Sequence, residues 1–450
     1  MTSAIPLSAG LTGKPVFDDV YFADLDRAIR HIPAAMLGAG DAELPGLDPA
    51  ISADPYTPFM ALQAEQGNVV MFRDGHYGSL AVINAFAHPP EHPNFAVLGY
   101  KTIEALLSDS KTFVNAGAYG AHGAAGGRAM VNETDGAEHQ QLRRVFNFQI
   151  FGMRRLVDFA QACIDPLADH LARRAAAKLT RGEPVDLSRD MAMPLVYASM
   201  AQIIGVPVGS LSHYVNMAER ALGGSRDFDS AVVAVAELTA FFEAEYQRRL
   251  QSGTMGEHDL MALMAGVDDK GYRFSGEDIV AYCRFLLPVG IETTWRQLAN
   301  TCYALMGHGD QFAQLVANET LRPAAIEEVL RWLPSGGIIP RLCAQDTFLA
   351  GVEVRAGSSL CAFSGVANRD PLIWENAQAF DIHRKRIPHL TFSTGLHHCM
   401  GQNLARQVLK KAVDALCAHL PDARLARPWQ EIPTEGFVIR CPSEVPIRLQ

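Results

Sequence analysis

The sequence predicts a mostly α-helical fold with small, segregated β-sheets. Apolar residues recur at helical spacing over about 131–306 and again over 319–332. Short strand-like runs bounded by turn residues concentrate in the first hundred or so residues, within 334–389, and at the end of the chain. Helices and strands that occupy separate stretches indicate a helix-rich body with a β-rich N-terminal lobe.

We expect one large domain over residues 1–450. Its predicted parts are a β-containing N-terminal lobe over about 15–115, a helical body over about 131–420 and a C-terminal β-hairpin over 421–450. The clearest helical patterns cover 157–179, 191–204, 231–250, 276–306, 319–332 and the stretch from Cys399 to about His419. Strand-like runs cover 68–72, 79–84, 437–440 and 445–449. The Gly- and Ala-rich segment 116–130 predicts a flexible loop.

Composition excludes several classes of function. The 39 basic and 49 acidic side chains give a net charge of −10, which disfavours nucleic-acid binding because that usually needs a basic surface. No run approaches the roughly 18 apolar residues of a membrane span, and residues 1–15 lack the features of a secretory signal. We therefore expect a soluble, cytoplasmic protein that does not bind membranes, and a monomer.

The eight cysteines are scattered without a C-x-x-C pair, so they predict neither a disulfide framework nor a zinc cluster. Cys399 differs from the others because it lies in a Gly- and His-rich loop that leads into a Leu/Ala/Arg helical pattern. A thiol at a helix N-terminus is favoured as the anion by free N–H groups and the helix dipole. A lone thiolate suits a metal whose other positions are filled by a macrocycle, so the loop predicts haem iron with Cys399 as its ligand.

The loop reads Phe-x-x-Gly-x-His-x-Cys-x-Gly-x-x-Leu-Ala-Arg and begins at Phe392. It resembles the cysteine-ligand loop of the cytochrome P450 family. The resemblance implies the cytochrome P450 fold, haem b (iron protoporphyrin IX) with an axial Cys thiolate, and monooxygenase activity. In this loop Phe392 would cover the sulfur, His397 would supply a donor to an anionic group, and Gly401 would let the backbone approach a flat ligand.

A second motif lies upstream. Glu328 and Arg331 are three residues apart and share a helix face among apolar neighbours. Most such pairs are solvated surface pairs, but this one resembles the Glu-x-x-Arg of cytochromes P450, which joins an Arg before the Cys loop. Arg384 is in that position here. The three would form a buried structural triad rather than a catalytic one.

The two haem carboxylates need cationic partners. His139 and Arg143 are four residues apart and so share a helix face, and Arg341 starts a predicted strand. Together with His397, their order and spacing match the positions at which the family binds the haem propionates.

The segment from Val289 to Thr294 places a Gly beside an acid–alcohol pair inside a long apolar helix. It resembles the family's Gly-x-(Asp/Glu)-Thr oxygen-binding groove. The resemblance implies catalytic roles for Glu292, which would relay protons from solvent, and for Thr293, which would hydrogen-bond dioxygen. Val289 is bulkier than the usual Ala or Gly, and Pro288 is expected to kink the helix and reinforce the local distortion that opens the groove.

Electrons must come from outside, because the chain has no flavin or dinucleotide motif. By family analogy we expect a ferredoxin, or a flavodoxin, with an NAD(P)H-dependent reductase. Basic residues that would flank the thiolate are expected to steer such an acidic carrier. They are Arg144, Arg154, Arg155, Arg384, Lys385, Arg386, Arg406, Lys410 and Lys411.

The leading hypothesis is a monooxygenase that inserts one oxygen atom of O2 into a small-to-mid-sized hydrophobic molecule such as a terpenoid, steroid or aromatic. Val289, Ile338, Ile339 and Phe437 are the predicted pocket residues. Two alternatives stay open: a peroxide-driven haem-thiolate enzyme, which Glu292 and Thr293 disfavour, and a non-catalytic haem sensor, which would need no acid–alcohol pair.

Overall fold

The structure is a computed structural model that describes residues 17–30, 51, 53–72, 92–118, 130–206, 211–222, 228–253, 255, 259–436 and 438–449. Its α-helices are α1 (Asp19–Arg30), α2 (Tyr56–Gln66), α3 (Tyr100–Ser108), α4 (Gly136–Val145), α5 (Met153–Phe159), α6 (Asp165–Thr180), α7 (Met193–Ile204), α8 (Leu211–Leu222), α9 (Phe228–Ser252), α10 (Leu260–Ala265), α11 (Gly276–Gly307), α12 (Gly309–Ala317), α13 (Arg322–Trp332), α14 (Ser364–Ala367) and α15 (Gln402–His419). Short π-helical turns precede α5, α6 and α7.

The strands are β1 (Val69–Met71), β2 (Asn94–Val97), β3 (Phe113–Val114), β4 (Val185–Asp186), β5 (Ile339–Cys343), β6 (Thr347–Leu349), β7 (Val352–Val354), β8 (Ser359–Ala362), β9 (Ala423–Leu425), β10 (Thr434–Glu435), β11 (Cys441–Pro442) and β12 (Pro446–Leu449). The prediction of a mostly helical chain with small separate sheets is confirmed.

The long helix α11 forms the centre of the helical body. Ser275 accepts a hydrogen bond from the Asp278 backbone N–H, and the Asp278 carboxylate accepts one from the Ser275 N–H, so a capping box fixes where the helix begins. Helices α7, α8, α9, α13 and α15 pack against it. The helix continues through Pro288 without a break in its α-helical pattern, so the distortion expected from Pro288 does not interrupt the helix.

The largest sheet has the strand order β1-β2-β8-β5-β3. Side chains alternate between its faces, as they must in a strand: Phe95 and Leu360 pack in one apolar cluster, and Ala96 and Cys361 pack in another. The sheet is therefore not confined to the N-terminal part of the chain, because β5 and β8 complete it from the 339–362 region.

The C-terminal strands form two sheets, which differs from the predicted single hairpin over 421–450. Strand β12 pairs with β9 on one side and with β4 on the other, while β10 pairs with β11. The partner β4 lies about 260 residues upstream, and such long-range pairing leaves no local signal in the sequence. Within the parts of the chain described here, no helix has the length and apolar character required to cross a bilayer.

Candidate active site

A cavity of about 400 Å³ lies between α4, α7, α11, β5 and the loop that precedes α15. Most of the residues predicted for the site line it. They are His139, Arg143, Val289, Thr293, Ile339, Arg341, Phe392, His397, Cys399 and Gly401. These residues come from separate stretches of the chain, and the fold brings them to one place.

The loop that carries Cys399 is tightly closed. The Cys399 backbone N–H donates to the Phe392 carbonyl at 2.8 Å. Gly395 has a φ of +71°, and a Cβ there would lie 2.4 Å from the Leu107 carbonyl oxygen on α3. Only glycine combines that backbone conformation with so close an approach, so this position fixes the loop against α3.

The Cys399 side chain is exposed toward the cavity. The surrounding protein raises the pKa of its thiol by burial, while the backbone N–H groups of Gly401 and Gln402 and the charge of Arg143 act in the opposite direction. The sulfur therefore meets donors that stabilise a thiolate once a cation compensates the burial. A Cβ on Gly401 would meet no atom within 4 Å, so the backbone beside the sulfur faces open space.

Cationic and polar side chains collect on one wall of the cavity. Arg341 is 2% exposed, and His139 is 1% exposed with its Nδ1 atom unpartnered among the described residues. Burial lowers the pKa of His139 to about 4, with the charges of His397 and Arg143 adding to the effect. A buried, unpartnered histidine beside two guanidinium groups calls for an anionic ligand.

His397 is held by Asp135, a residue that the sequence did not single out. The His397 Nε2 lies 2.9 Å from an Asp135 carboxylate oxygen, and the His139 and His397 ring centroids are 4.1 Å apart. The other Asp135 oxygen accepts from the backbone N–H groups of Asn115 and Ala116. Asp135 and His397 are 262 positions apart, so no spacing rule could have paired them.

The cationic wall of the cavity, the Cys399 thiol and the open backbone at Gly401 together fit a flat macrocycle that carries two negative charges and a metal at its centre. Arg143, Arg341, His139 and His397 offer the charges and donors for two carboxylates. Cys399 offers one soft ligand from the same cavity. The residues present therefore fit haem.

The acid and the alcohol of the α11 motif point to different places. Thr293 lines the cavity, and its hydroxyl donates to the Val289 carbonyl at 3.0 Å. Glu292 is not among the cavity-lining residues. Its carboxylate accepts from Arg296 at 2.6 Å and from the Trp295 indole at 3.3 Å. Glu292 thus lies in a buried polar network beside the cavity rather than in it, and the i,i+4 spacing to Arg296 is the sequence signal for that pairing.

One predicted pocket residue lies away from the cavity, and another is not described. Ile338 lies in a second, smaller pocket next to Tyr56 and Phe363, not in the large cavity. It directly precedes Ile339, and consecutive side chains in extended backbone point to opposite sides. Phe437 lies outside the described residues, as does most of the predicted 116–130 loop. Val289 does line the large cavity, with 38% of its surface exposed.

Glu328, Arg331 and Arg384 are in direct contact. Arg331 makes two hydrogen bonds to the Glu328 carboxylate, at 2.7 and 2.8 Å, and Arg384 adds a third at 3.0 Å. Arg331 also donates to the backbone carbonyls of Asn368, Ala377 and Ala379. The triad therefore ties helix α13 to the segment that leads into the Cys399 loop.

Comparison with known proteins agrees with this geometry. The sequence model of the family described as Cytochrome P450 matches residues 221–419. Nocardicin C N-oxygenase from Nocardia uniformis subsp. tsuyamanensis is 32% identical over 367 residues, covering 78% of this chain and 88% of that protein. Mycinamicin IV hydroxylase/epoxidase from Micromonospora griseorubida is 30% identical, covering 70% and 78%.

Solved structures show the same fold. The cytochrome P450 PksS of the Bacillus subtilis 168 bacillaene polyketide synthase superposes with a TM-score of 0.76 at 20% identity, covering 89% of this chain and 98% of that one. The LnmA cytochrome P450 hydroxylase from the leinamycin pathway of Streptomyces atroolivaceus superposes with a TM-score of 0.70 at 28% identity, covering 87% and 96%.

Proposed function

The chain belongs to the cytochrome P450 family, whose members are haem-thiolate monooxygenases, and from this premise we propose that it inserts one oxygen atom of O2 into a small-to-mid-sized hydrophobic molecule. The observation that carries the proposal is the cavity itself, which joins the Cys399 sulfur, the Thr293 hydroxyl and the cationic wall. Relatives with names such as vitamin D3 dihydroxylase and pentalenic acid synthase support a substrate of the steroid or terpenoid class.

Each residue then has a defined task. Cys399 would hold the haem iron through its sulfur, and Gly401 would give room for the macrocycle. His139, Arg143, Arg341 and His397 would bind its two carboxylates. When bound, haem with an axial thiolate supplies the redox chemistry that cleaves dioxygen.

The rest of the cavity binds the substrate and excludes water. Its remaining lining is mainly apolar and comes from α7, α10 and α11, so a hydrophobic molecule gains binding energy by leaving water. These side chains are Val196, Met200, Ile203, Leu260, Phe285 and Leu286. Thr293 and Thr294 both bring hydroxyl groups to the α11 wall, and Thr293, at the position of the family's groove threonine, would hold a proton next to the reacting oxygen.

Electrons are proposed to come from a ferredoxin, or a flavodoxin, and its NAD(P)H-dependent reductase. Support comes from the basic residues near the Cys399 helix, although several of these are already neutralised: Arg144 by Asp269, Arg406 by Glu327, and Lys411 by Asp165. Arg154, on α5, and Lys385 are exposed. Helix α5 packs against α15, which follows Cys399, so Arg154 lies on the side from which electrons would enter.

The test is the spectrum of the reduced protein with carbon monoxide. Holoprotein should show the red-shifted Soret band of a thiolate-ligated haem, Cys399→Ser should lose it, and Cys417→Ser on α15 should keep it. Retention of that band in Cys399→Ser would overturn the assignment of the ligand.

Turnover assays then distinguish a monooxygenase from a peroxide-driven enzyme and from a non-catalytic haem sensor. Product formation with NADPH, reductase and ferredoxin, with substrates found by their low-to-high spin shift, is the expected result. Turnover with peroxide alone, or no turnover with any spin-shifting compound, would contradict the proposal.

A further inference from the structure

A buried polar network fills the contact between α7, α8 and α11, beside the cavity. The Tyr197 hydroxyl donates to the Glu219 carboxylate at 2.6 Å. On α11, Arg296 donates to Glu292 at 2.6 Å and to the Cys441 sulfur at 3.2 Å. Tyr197, Glu292 and Arg296 are almost completely buried.

Helices α8 and α11 pack against each other, and this packing brings the Glu219 carboxyl, held by Tyr197, within reach of the Glu292 carboxyl, held by Arg296. Two ionised carboxylates only accept hydrogen bonds, so such a contact requires a proton on one of them. The charge balance agrees. The network contains one permanent cation, Arg296, which neutralises one carboxylate and leaves a second negative charge that burial would penalise unless it is protonated.

Among the residues that the structure describes around this network, no other charge supplies the missing cation. On α8, the adjacent Arg220 forms an ion pair with Glu237 of α9. From α7 the network receives the neutral Tyr197 hydroxyl, and from β11 the Cys441 thiol. The second carboxyl therefore depends on a proton for its neutralisation.

We propose that Glu219 and Glu292 share one proton across the contact between α8 and α11, and that Glu219 passes this proton to Glu292 for the reaction in the adjacent cavity. The second half of this inference rests on the proposed monooxygenase function. The proton leaves Glu219 and is taken up by Glu292, Glu292 then releases it toward the cavity beside Thr293, the next residue in α11, and a proton from solvent restores Glu219. No electron moves and no other reactant is needed.

The environments of the two acids determine which carboxyl holds the proton between transfers. Burial raises the pKa of Glu219 well above its ordinary value, and the nearby charge of Glu292 raises it further. Burial would also raise the pKa of Glu292, but the charge and hydrogen bonds of Arg296, together with the hydrogen bond to Glu219, lower it overall. The resting proton therefore resides on Glu219, the half-buried member that lies nearer the surface.

The first test needs neither haem nor turnover. A glutamine at position 219 keeps a hydrogen-bond donor toward Glu292 and the same shape, but its donor proton cannot be passed on. A carboxyl whose folded pKa is raised stabilises the protein below its ordinary pKa of 4.5, and this contribution is lost as pH rises through the folded value. Wild type should therefore lose stability with rising pH above 4.5 more steeply than Glu219→Gln, measured by urea unfolding.

Infrared spectroscopy gives an independent readout of the same proton. Wild type at neutral pH should show the carbonyl stretch of a protonated carboxyl, shifted in deuterated water, and Glu219→Gln should lose it. Glu243→Gln, which removes an exposed carboxyl on α9 outside the Arg220–Glu237 ion pair, is the matched control and should keep both the band and the wild-type pH dependence. An unchanged band and an unchanged pH slope in Glu219→Gln would overturn proton sharing.

Turnover tests the delivery step. In holoenzyme, Glu219→Gln should lower product formed per NADPH about tenfold and enlarge the solvent isotope effect, with the substrate-induced spin shift unchanged. Glu219→Asp, which restores a protonable group, should recover part of the loss. Loss of the infrared band with wild-type turnover would overturn delivery. If the band and pH results hold while the wild type has no thiolate-type spectrum, the monooxygenase proposal fails and proton sharing stands.

Discussion

Gly395 shows how one residue determines the geometry of the Cys399 loop. Its positive φ costs any other residue backbone strain, and a Cβ added there would lie 2.4 Å from the Leu107 carbonyl oxygen, which is a clash with rigid backbone. The loop can therefore reach its closed shape only with glycine at this point. The Cys399 sulfur depends on that shape, because the loop closes through the Phe392 carbonyl, on the other side of Gly395.

We predict that Gly395→Ala destabilises the protein by about 3 kcal/mol and lowers haem incorporation. The matched control is Gly182→Ala, since Gly182 has a similar φ of +74° but open space around the added Cβ. The control should cost only about 1 kcal/mol. Urea unfolding measures both, and equal losses in the two variants would show that the contact with α3 is unimportant.

Val289 is a second residue whose effect is local. It lines the cavity and stays partly exposed there, so its truncation removes little buried contact. We predict that Val289→Ala costs under about 1 kcal/mol of stability but changes which hydrophobic compounds produce a spin shift, because it enlarges the pocket beside Thr293. An unchanged binding profile over a panel of compounds of different size would contradict a role for Val289 in selectivity.

Helix α13 illustrates how an element is positioned by a buried ionic contact. Glu328 holds both Arg331 and Arg384, and Arg331 in turn caps three carbonyls of the segment that leads to the Cys399 loop. The apolar residues of α13 attach it to the core, while the triad fixes its relation to that segment. A charged group left alone in such a place is expensive.

We predict that Glu328→Gln costs about 3–5 kcal/mol, because two guanidinium groups lose the carboxylate that they share in a buried site. Arg386→Ala, which removes an exposed partner of the neighbouring Glu327, should cost under about 1 kcal/mol. Chemical denaturation of both variants checks this. A loss below about 1 kcal/mol for Glu328→Gln would mean that the triad is not a stabilising contact.

The stability of the whole protein at low pH depends on carboxylates that are ionised in the folded state because they pair with cationic side chains. Burial would raise the pKa of Glu327, but hydrogen bonds from His389 and Arg406 and their charges lower it to about 2. A carboxyl with a lowered folded pKa contributes stability above its ordinary value of 4.5, and this contribution is lost as pH falls toward 2.

Glu327→Gln should therefore destabilise the protein near neutral pH by on the order of 2 kcal/mol, and the difference from wild type should shrink steadily below pH 4.5. Urea unfolding at a series of pH values measures it. Glu319→Gln, at an exposed turn before α13, serves as control and should run parallel to wild type. A constant gap between wild type and Glu327→Gln across this range would rule out the linkage.

The surface around α5 is where an acidic electron carrier is proposed to dock. We predict that Arg154→Glu slows reduction by ferredoxin about tenfold at low salt, and that the effect fades as salt screens the charge. Arg355→Glu, a charge reversal between strand β7 and the turn before β8, is the control. A salt-independent defect, or an equal defect in Arg355→Glu, would contradict electrostatic docking at Arg154.

Local patterns in the sequence were enough to predict the fold class, the long helices and most of the cavity residues. Helical periodicity and capping are local, as the Ser275–Asp278 box of α11 shows. The function of the Cys399 loop could also be predicted from the sequence, because the glycine, histidine and cysteine positions that define its chemistry lie within one short segment.

Contacts between residues far apart in the sequence became visible only in the folded protein. It paired His397 with Asp135, joined Glu219 to Glu292, and attached β12 to β4. It also placed Ile338 in a different pocket from Ile339. The physical reason is that hydrogen bonds, charge neutralisation and strand pairing act between surfaces, and which surfaces meet depends on the packing of the whole core rather than on any short stretch of residues.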